Sequence, residues 1–355
     1  MKRNTPIRLL ALVLALAMLL CGCAASGKQD TASPDASGSQ KTNGSAAASE
    51  LASKYTYTAK YFNAPSAAQY VSASCMADGA LYLAASQNGE MRTYTDEASG
   101  ESYQYNETGY QVYKMDLATG ESTPIGTLIT DPREADAEGW TNSQSLFDLQ
   151  PGKDGSLWLF LNVNRSRYDL PESFDPETDQ RYNYYVDGGN VIRAVQYAAD
   201  GSIQQDLMLD PGETAKPQAG DYVSFYPQRV LLTSDGSFAA TSDRYAYLWS
   251  ADGTLTAALD NESYADLKRL NADTIGVTSY TGDSMKFQAL DTASKSWGET
   301  ITLPDSAWNL LPGNSQYDFF YNNGTALYGY KTDSGKEEKL VDWLACDVNS
   351  DSLNG

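Results

Sequence analysis

TSDGSFAAT, from Thr233 to Thr241, sets an Asp-Gly turn between strand-like runs. Asp-Gly suits a two-residue hairpin because a type I′ turn needs positive φ at both central positions. One such dipeptide carries little weight. The same texture returns in MADGALYL (Met76 to Leu83), GKDGSLWLF (Gly152 to Phe160), AADGSI (Ala198 to Ile203) and SADGTL (Ser250 to Leu255). A second hairpin form follows aromatic strands: YQVYKMDLATGES from Tyr110, MKFQALDTASKSWGE from Met285 and ALYGYKTDSGKEE from Ala326. Between turns, apolar and polar residues alternate, and no stretch keeps helical periodicity for long. The hairpins group into four-strand units. The first has strands near 69–76, 80–86, 110–117 and 122–129, with a long insertion between the second and third. The second unit runs from Ser145 to Asp210, the third from Tyr226 to Asp260, the fourth from Tyr264 to Pro304 and the fifth from Ala307 to about Leu344. Serial four-stranded antiparallel units with no helices between them predict an all-β fold, a β-propeller of about five blades. A two-sheet sandwich is the rival that strand spacing alone permits. The regular alternation of hairpin types favours the propeller.

Composition narrows the chemistry. The chain has no histidine, which excludes Ser-His-Asp and Cys-His catalysis, histidine-ligated zinc and imidazole pH switching. It has no nucleophile elbow, Walker loop or metal-binding motif, and nothing selects a glycosidase-type pair from its many carboxylates. A non-enzymatic protein without a cofactor is therefore expected. The 25 tyrosines indicate a β-rich core. A formal net charge of −21 argues against nucleic acid and anionic lipid surfaces as partners, and suits neutral or cationic ligands.

The amino terminus gives an address. Lys2, Arg3 and Arg8 precede an apolar run from Leu9 to Leu20. Those 12 residues fall short of the ~20 that span a hydrocarbon core. Leu20-Cys21-Gly22-Cys23 then has the form of a bacterial lipobox, with a small residue just before the modified cysteine. Cys21 lacks a small residue at that place, so Cys23 is the predicted lipidation site; an ordinary secretory signal is the alternative. Two acyl chains anchor stably where one binds only marginally. Residues 1–22 thus read as a lipoprotein signal peptide, and 23–54 as the lipidated cysteine with a flexible Ala/Ser/Gly-rich tether. Residues 55–355 are the propeller domain. Loss of Lys2, Arg3 and Arg8 with the signal would take the net charge from −21 to −24. The expected location is the outer face of the bacterial cytoplasmic membrane, with the bilayer as a partner through Cys23.

Three segments carry a family resemblance: YTYTAKYFNAP from Tyr55, YVSASCMADGALYLAAS from Tyr70, and KLVDWLACDVNSDSLNG from Lys339. They resemble the amino-terminal β-propeller region of large lipoproteins of anaerobic Firmicutes, in which a carbohydrate-type solute-binding domain of an ABC importer follows. The resemblance implies association with carbohydrate uptake, and partners that are a carbohydrate or an importer component. No residues here correspond to the solute-binding domain. It also implies that Thr56 to Asn63 supply the outer strand of a last blade whose inner strands are absent. Blade faces left exposed by that absence would forfeit on the order of 10 kcal/mol at ~25 cal/mol/Å². A fragment is therefore expected, with a complete five-blade ring as the alternative.

Candidate site residues lie in loops. The insertion from Asn164 to Asn190 concentrates Tyr168, Phe174, Tyr182, Tyr184 and Tyr185 among Arg165, Arg167 and Arg181. Long aromatic loops on a rigid scaffold commonly bind ligands, and tyrosine stacks on sugar faces while its hydroxyl makes hydrogen bonds. The alternative is an extended hairpin whose rings only pack on each other. The insertion from Gln87 to Gly109, with Tyr94, Tyr103 and Tyr105, is expected on the same face. Trp140, between an acidic loop and a strand, is a candidate exposed contact, whereas Trp158, Trp249 and Trp297 read as blade core. Asp347, Asn349 and Asp351 alternate like the opening of a calcium loop. Ser352 stands where glycine is required, so a solvated turn is the preferred reading. Cys75 and Cys346 could close a very long loop, worth ~5 kcal/mol, or remain two unpaired thiols. Two further readings stay open: an envelope scaffold for other proteins, and a propeller glycan hydrolase using paired carboxylates.

Overall fold

A computed structural model describes residues 8–10, 60–95, 100, 102–130, 139–153, 155–175, 177–212, 225–227, 229–242, 245–261, 266–281, 284–304, 307 and 309–343. Cys23, Cys346 and the Asp347, Asn349 and Asp351 turn lie outside them. β1 (Arg8–Leu10) and β2 (Tyr61–Asn63) form an antiparallel pair with Leu9 opposite Phe62. Every other strand belongs to one of five four-stranded antiparallel sheets, each in simple sequence order.

The first sheet comprises β3 (Tyr70–Ala77), β4 (Ala80–Thr95), β5 (Ser102–Met115) and β6 (Ser122–Thr130). The second comprises β7 (Thr141–Pro151), β8 (Leu157–Tyr168), β9 (Tyr185–Tyr197) and β10 (Ile203–Leu209). The third holds β11 (Arg229–Leu232), β12 (Phe238–Ser242), β13 (Tyr245–Trp249) and β14 (Leu255–Asp260). The fourth holds β15 (Asp266–Arg269), β16 (Ile275–Thr281), β17 (Ser284–Asp291) and β18 (Ser296–Thr302). The fifth holds β19 (Asn309–Pro312), β20 (Phe319–Asn322), β21 (Ala326–Lys331) and β22 (Lys336–Asp342). Five separate sheets are incompatible with a two-sheet sandwich.

The sheets pack in series because their central strands are apolar on both faces. Along β8, Leu157, Leu159 and Leu161 join Ala84, Tyr110 and Val112 of the first sheet, while Trp158 and Phe160 join Phe238 and Trp249 of the third. Successive strand residues point to opposite faces, so one apolar run serves two interfaces. Leu231, Ala239 and Leu248 meet Leu267 and Val277 between the third and fourth sheets, and Phe287 meets Phe319 and Tyr321 between the fourth and fifth. Fourth strands are wetter: Ile203, Gln204, Gln205 and Asp206 of β10 are all exposed.

The first strands line up in the same order, β3 against β7, β7 against β11, β11 against β15 and β15 against β19. Side-chain amides extend the backbone ladder across these seams. Gln150 on β7 donates to Val230 O at 2.6 Å and accepts from Leu232 N at 3.0 Å. The Arg269 guanidinium donates to Leu232 O, and Gly313 N donates to Leu270 O at 2.8 Å.

Two expectations need correction. The outward faces of the end sheets are not left open. Leu81, Leu83 and Met115 are fully buried and pack with Phe62 of β2, and Leu327, Val341 and Trp343 form a buried cluster on the fifth sheet. The turns also differ. Among the Asp-Gly pairs whose two residues are both described, only Asp78 and Gly79 both have positive φ, at 48° and 72°. In TSDGS, Gly236 N donates to Thr233 O at 3.1 Å, Thr233 N donates to Ser237 O at 2.8 Å, and of Asp235 and Gly236 only the glycine has positive φ, 87°. That is a type I turn followed by a left-handed glycine, the three-residue hairpin. Asp235 is held right-handed because its carboxylate accepts from Thr233 Oγ1 and from Ser237 N at 3.1 Å. Asp200 and Asp252 repeat the arrangement with Ser202 and with Ser250 and Thr254. The sequence rule is therefore Asp-Gly-Ser/Thr, with the carboxylate as a local cap.

Those caps carry a pH signature. Hydroxyl donors, then backbone N–H groups, hold the carboxyls of Asp200, Asp235 and Asp252 below the ordinary carboxylate range. A carboxyl depressed on folding stabilises above its unfolded value, near 4, and that contribution disappears as pH falls through the folded value. Asp148 opposes this, since burial raises its carboxyl. The urea midpoint should therefore fall below pH 4. The triple change Asp200→Asn, Asp235→Asn and Asp252→Asn, which keeps the turn acceptors, should flatten that acid limb.

Candidate functional site

The two insertions are extensions of their own hairpins. β4 and β5 continue past the core with Arg92 opposite Tyr105 and Tyr94 opposite Tyr103. Tyr94 and Tyr103 have ring centroids 5.2 Å apart, with Tyr105 6.3 Å from Tyr103. Buried Glu107 meets Arg92 Nε at 3.2 Å. Here the rings do pack on one another.

β8 and β9 build something different. Their register pairs Arg165 with Gly189, Arg167 with Val186 and Tyr168 with Tyr185. The register of β7 on β8, with Thr141 opposite Ser166, carries Trp140 to the level of Arg167. Arg167 lies over the Trp140 ring at 4.4 Å, and Arg181 lies over the Tyr168 ring at 4.2 Å. Tyr185 meets Tyr168 edge-on at 5.7 Å. Guanidinium over an aromatic face is attractive through the ring quadrupole, worth ~0.5–2 kcal/mol depending on desolvation. Asp169 pairs with Arg167: its Oδ1 lies 2.7 Å from Nε as an ion-pair contact, and its Oδ2 accepts from Nη2 at 3.1 Å. Trp140 lies flat on the backbone at Gly188, where a Cβ would fall 2.6 Å from the indole Cζ3. Glycine is needed there for close approach.

The tip is tied locally. Asp179 N donates to Asp175 O at 2.7 Å, and Asp169 N donates to Tyr184 O at 3.0 Å. Arg181–Tyr184 form a 3-10 turn. It turns Tyr184 inward against Phe174 at 5.8 Å and leaves Tyr182 68% exposed. Tyr185 and Tyr168 are 47% and 41% exposed. Tyr168 and Tyr185 thus share one stack with Arg181, Trp140 belongs to a separate stack with Arg167, Tyr182 is exposed next to Arg181 in the chain, and Tyr184 is a support. Arg167 and Gly188 were not legible as partners of Trp140, because only strand register brings them to it.

Trp158, Trp249 and Trp297 are structural. Trp158 and Trp249 are buried in the core between the second and third sheets. Trp297 is partly covered and donates to Asp260 O at 2.8 Å. Cys75 is a free thiol, pushed up to about 12 by burial and secondarily by the charge of Asp148. Such a thiol is a poor nucleophile. Among the described residues no cluster of three or more His, Cys, Asp or Glu could hold a metal ion, and no helix is long and apolar enough to cross a membrane. No family model matches the chain, and no curated protein is significantly similar to it.

Proposed function

We propose that this chain is a lipid-anchored, extracellular, non-enzymatic β-propeller whose β8–β9 hairpin binds carbohydrate. In this reading it is tethered through Cys23 and accompanies carbohydrate uptake by an ABC importer. The five sheets are its blades, and the serial contact of their first strands supports an axis lined by β3, β7, β11, β15 and β19. The lipobox at Leu20 to Cys23 and the polar tether support the anchor.

One observation carries the ligand class. Two cation–π stacks, Arg167 on Trp140 and Arg181 on Tyr168, brace the aromatic rings of the hairpin, with Tyr182 and Tyr185 exposed. Rings held in place lose little entropy on binding, and their faces match the C–H faces of pyranoses. The Tyr182 hydroxyl donates to Gln180 Oε1, so the ring is also oriented.

A glycan array followed by calorimetry tests the reading. Tyr182→Ala should weaken binding of the glycan selected by the array about tenfold, which is ~1.4 kcal/mol, with an unchanged circular-dichroism spectrum. Array-wide absence of binding by the wild type, or equal affinity of the variant, would defeat the ligand assignment. Turnover of any oligosaccharide by purified protein would defeat the non-enzymatic one.

A further inference from the structure

We infer that the ligand of this surface is a neutral polysaccharide chain laid across several sheets, not a single sugar or short oligosaccharide; the inference rests on the carbohydrate reading above. Within each sheet, the turns joining strands one to two and three to four lie at one end. The two-to-three hairpins and the connections to the next sheet start from the other end. Like ends of successive first strands are bonded to each other, through Gln150 to Leu232, Arg269 to Leu232 and Gly313 to Leu270. The hairpin ends of successive sheets therefore share one side of the molecule.

Exposed tyrosines gather on that side. Tyr70, 74% exposed, opens β3, and Tyr103, 50% exposed, stands in the β4–β5 hairpin. Tyr182 is on the second sheet's hairpin, Tyr226 precedes β11 and is 49% exposed, and Tyr280 near the end of β16 is 65% exposed. Tyr61 of β2 apart, every exposed tyrosine among the described residues is at this end. The opposite end shows Met76 and Ile203 instead. Four consecutive sheets thus each present at least one open phenol ring. One sugar unit covers a single ring, whereas a chain engages successive rings and gains by effective concentration.

Charge selects among polymers. Asp169, Glu172, Asp175, Asp179 and Asp187 belong to the same hairpin segment as these rings and outnumber its Arg165, Arg167 and Arg181, within a chain of formal net charge −21. A polyanion is repelled by that field, while sugar hydroxyls donate to free carboxylate oxygens.

The test uses the full chain in affinity electrophoresis against soluble xyloglucan, galactomannan, glycogen and polygalacturonate, with calorimetry on matching tetrasaccharides. At least one neutral polymer should be bound at least tenfold more tightly than its tetrasaccharide. Tyr70→Ala and Tyr280→Ala should each weaken the polymer three- to tenfold and leave the tetrasaccharide unchanged, whereas Tyr182→Ala should weaken both. Equal affinity for tetrasaccharide and polymer, no effect of Tyr70→Ala and Tyr280→Ala, or preference for polygalacturonate overturns the inference and leaves the carbohydrate reading standing. Absence of binding to every glycan, or a protein partner competing for Tyr182, overturns both.

Discussion

Phe238→Ala should lower the unfolding free energy by about 4 kcal/mol. Phe238 is fully buried, and it is the ring through which the third sheet meets the second. Its edge meets Trp158 at a centroid distance of 5.0 Å and Phe160 at 6.2 Å. It also lies opposite Leu232 on β11 and Trp249 on β13, so both neighbouring strands would border the void. Those large side chains are held by paired strands and relax only partly into the space, so the upper range of such costs applies. In a chain of this size Tm should fall by about 10 °C. Phe238→Leu, which refills most of the volume, should cost only about 1 kcal/mol. Urea denaturation of both variants measures this. A loss under about 1 kcal/mol for the alanine variant would mean that the sheets do not pack through this ring.

Gly126→Ala should cost about 3 kcal/mol, although it removes no contact at all. Gly126 on β6 and Gly201 in the AADGSI turn are the place where the first sheet's outer strand touches the second sheet's turn. Gly126 has φ of 67°, and a Cβ there would fall 2.4 Å from Gly201 O and 2.7 Å from the Tyr197 ring. Gly201 has φ of 84°, and its Cβ would fall 2.6 Å from Gly126 N. At each glycine the nearest obstructing atom is backbone of the other, so relief requires parting the sheets. The left-handed conformation alone costs a non-glycine ~1–2 kcal/mol, and overpacking adds ~1–3 kcal/mol. The denaturant midpoint of Gly126→Ala reports the sum. Because both glycines serve one seam, the double variant should lose less than the two single losses together. Additive losses would place them in independent environments.

Strand order and sheet boundaries were legible with little error. The units read as Tyr226 to Asp260 and Tyr264 to Pro304 contain β11–β14 and β15–β18 without overlap. Period-two alternation and turn chemistry are local properties, so a single chain displays them in full. The turn type was less legible. Asp-Gly fits two hairpin geometries, and the deciding hydrogen bonds to the Asp235 and Asp252 carboxylates come from residues two positions away on either side. The β8–β9 hairpin was legible as a cluster of aromatics. That Trp140 belonged to it was not, because it lies far upstream of Tyr168 in the chain and meets Arg167 only through the β7–β8 register.

Sequence by itself determined an all-β chain of five four-stranded meanders, a histidine-free chemistry and the aromatic hairpin as the place to look. Tertiary structure alone decided which apolar residues face which neighbour. A strand such as LWLFL is apolar on both sides, and nothing in its composition says that Leu159 turns to the first sheet and Phe160 to the third. It also decided that Tyr182 stands open while Tyr184 is spent against Phe174. Chemical type is written residue by residue, but exposure is a property of what the rest of the chain brings alongside.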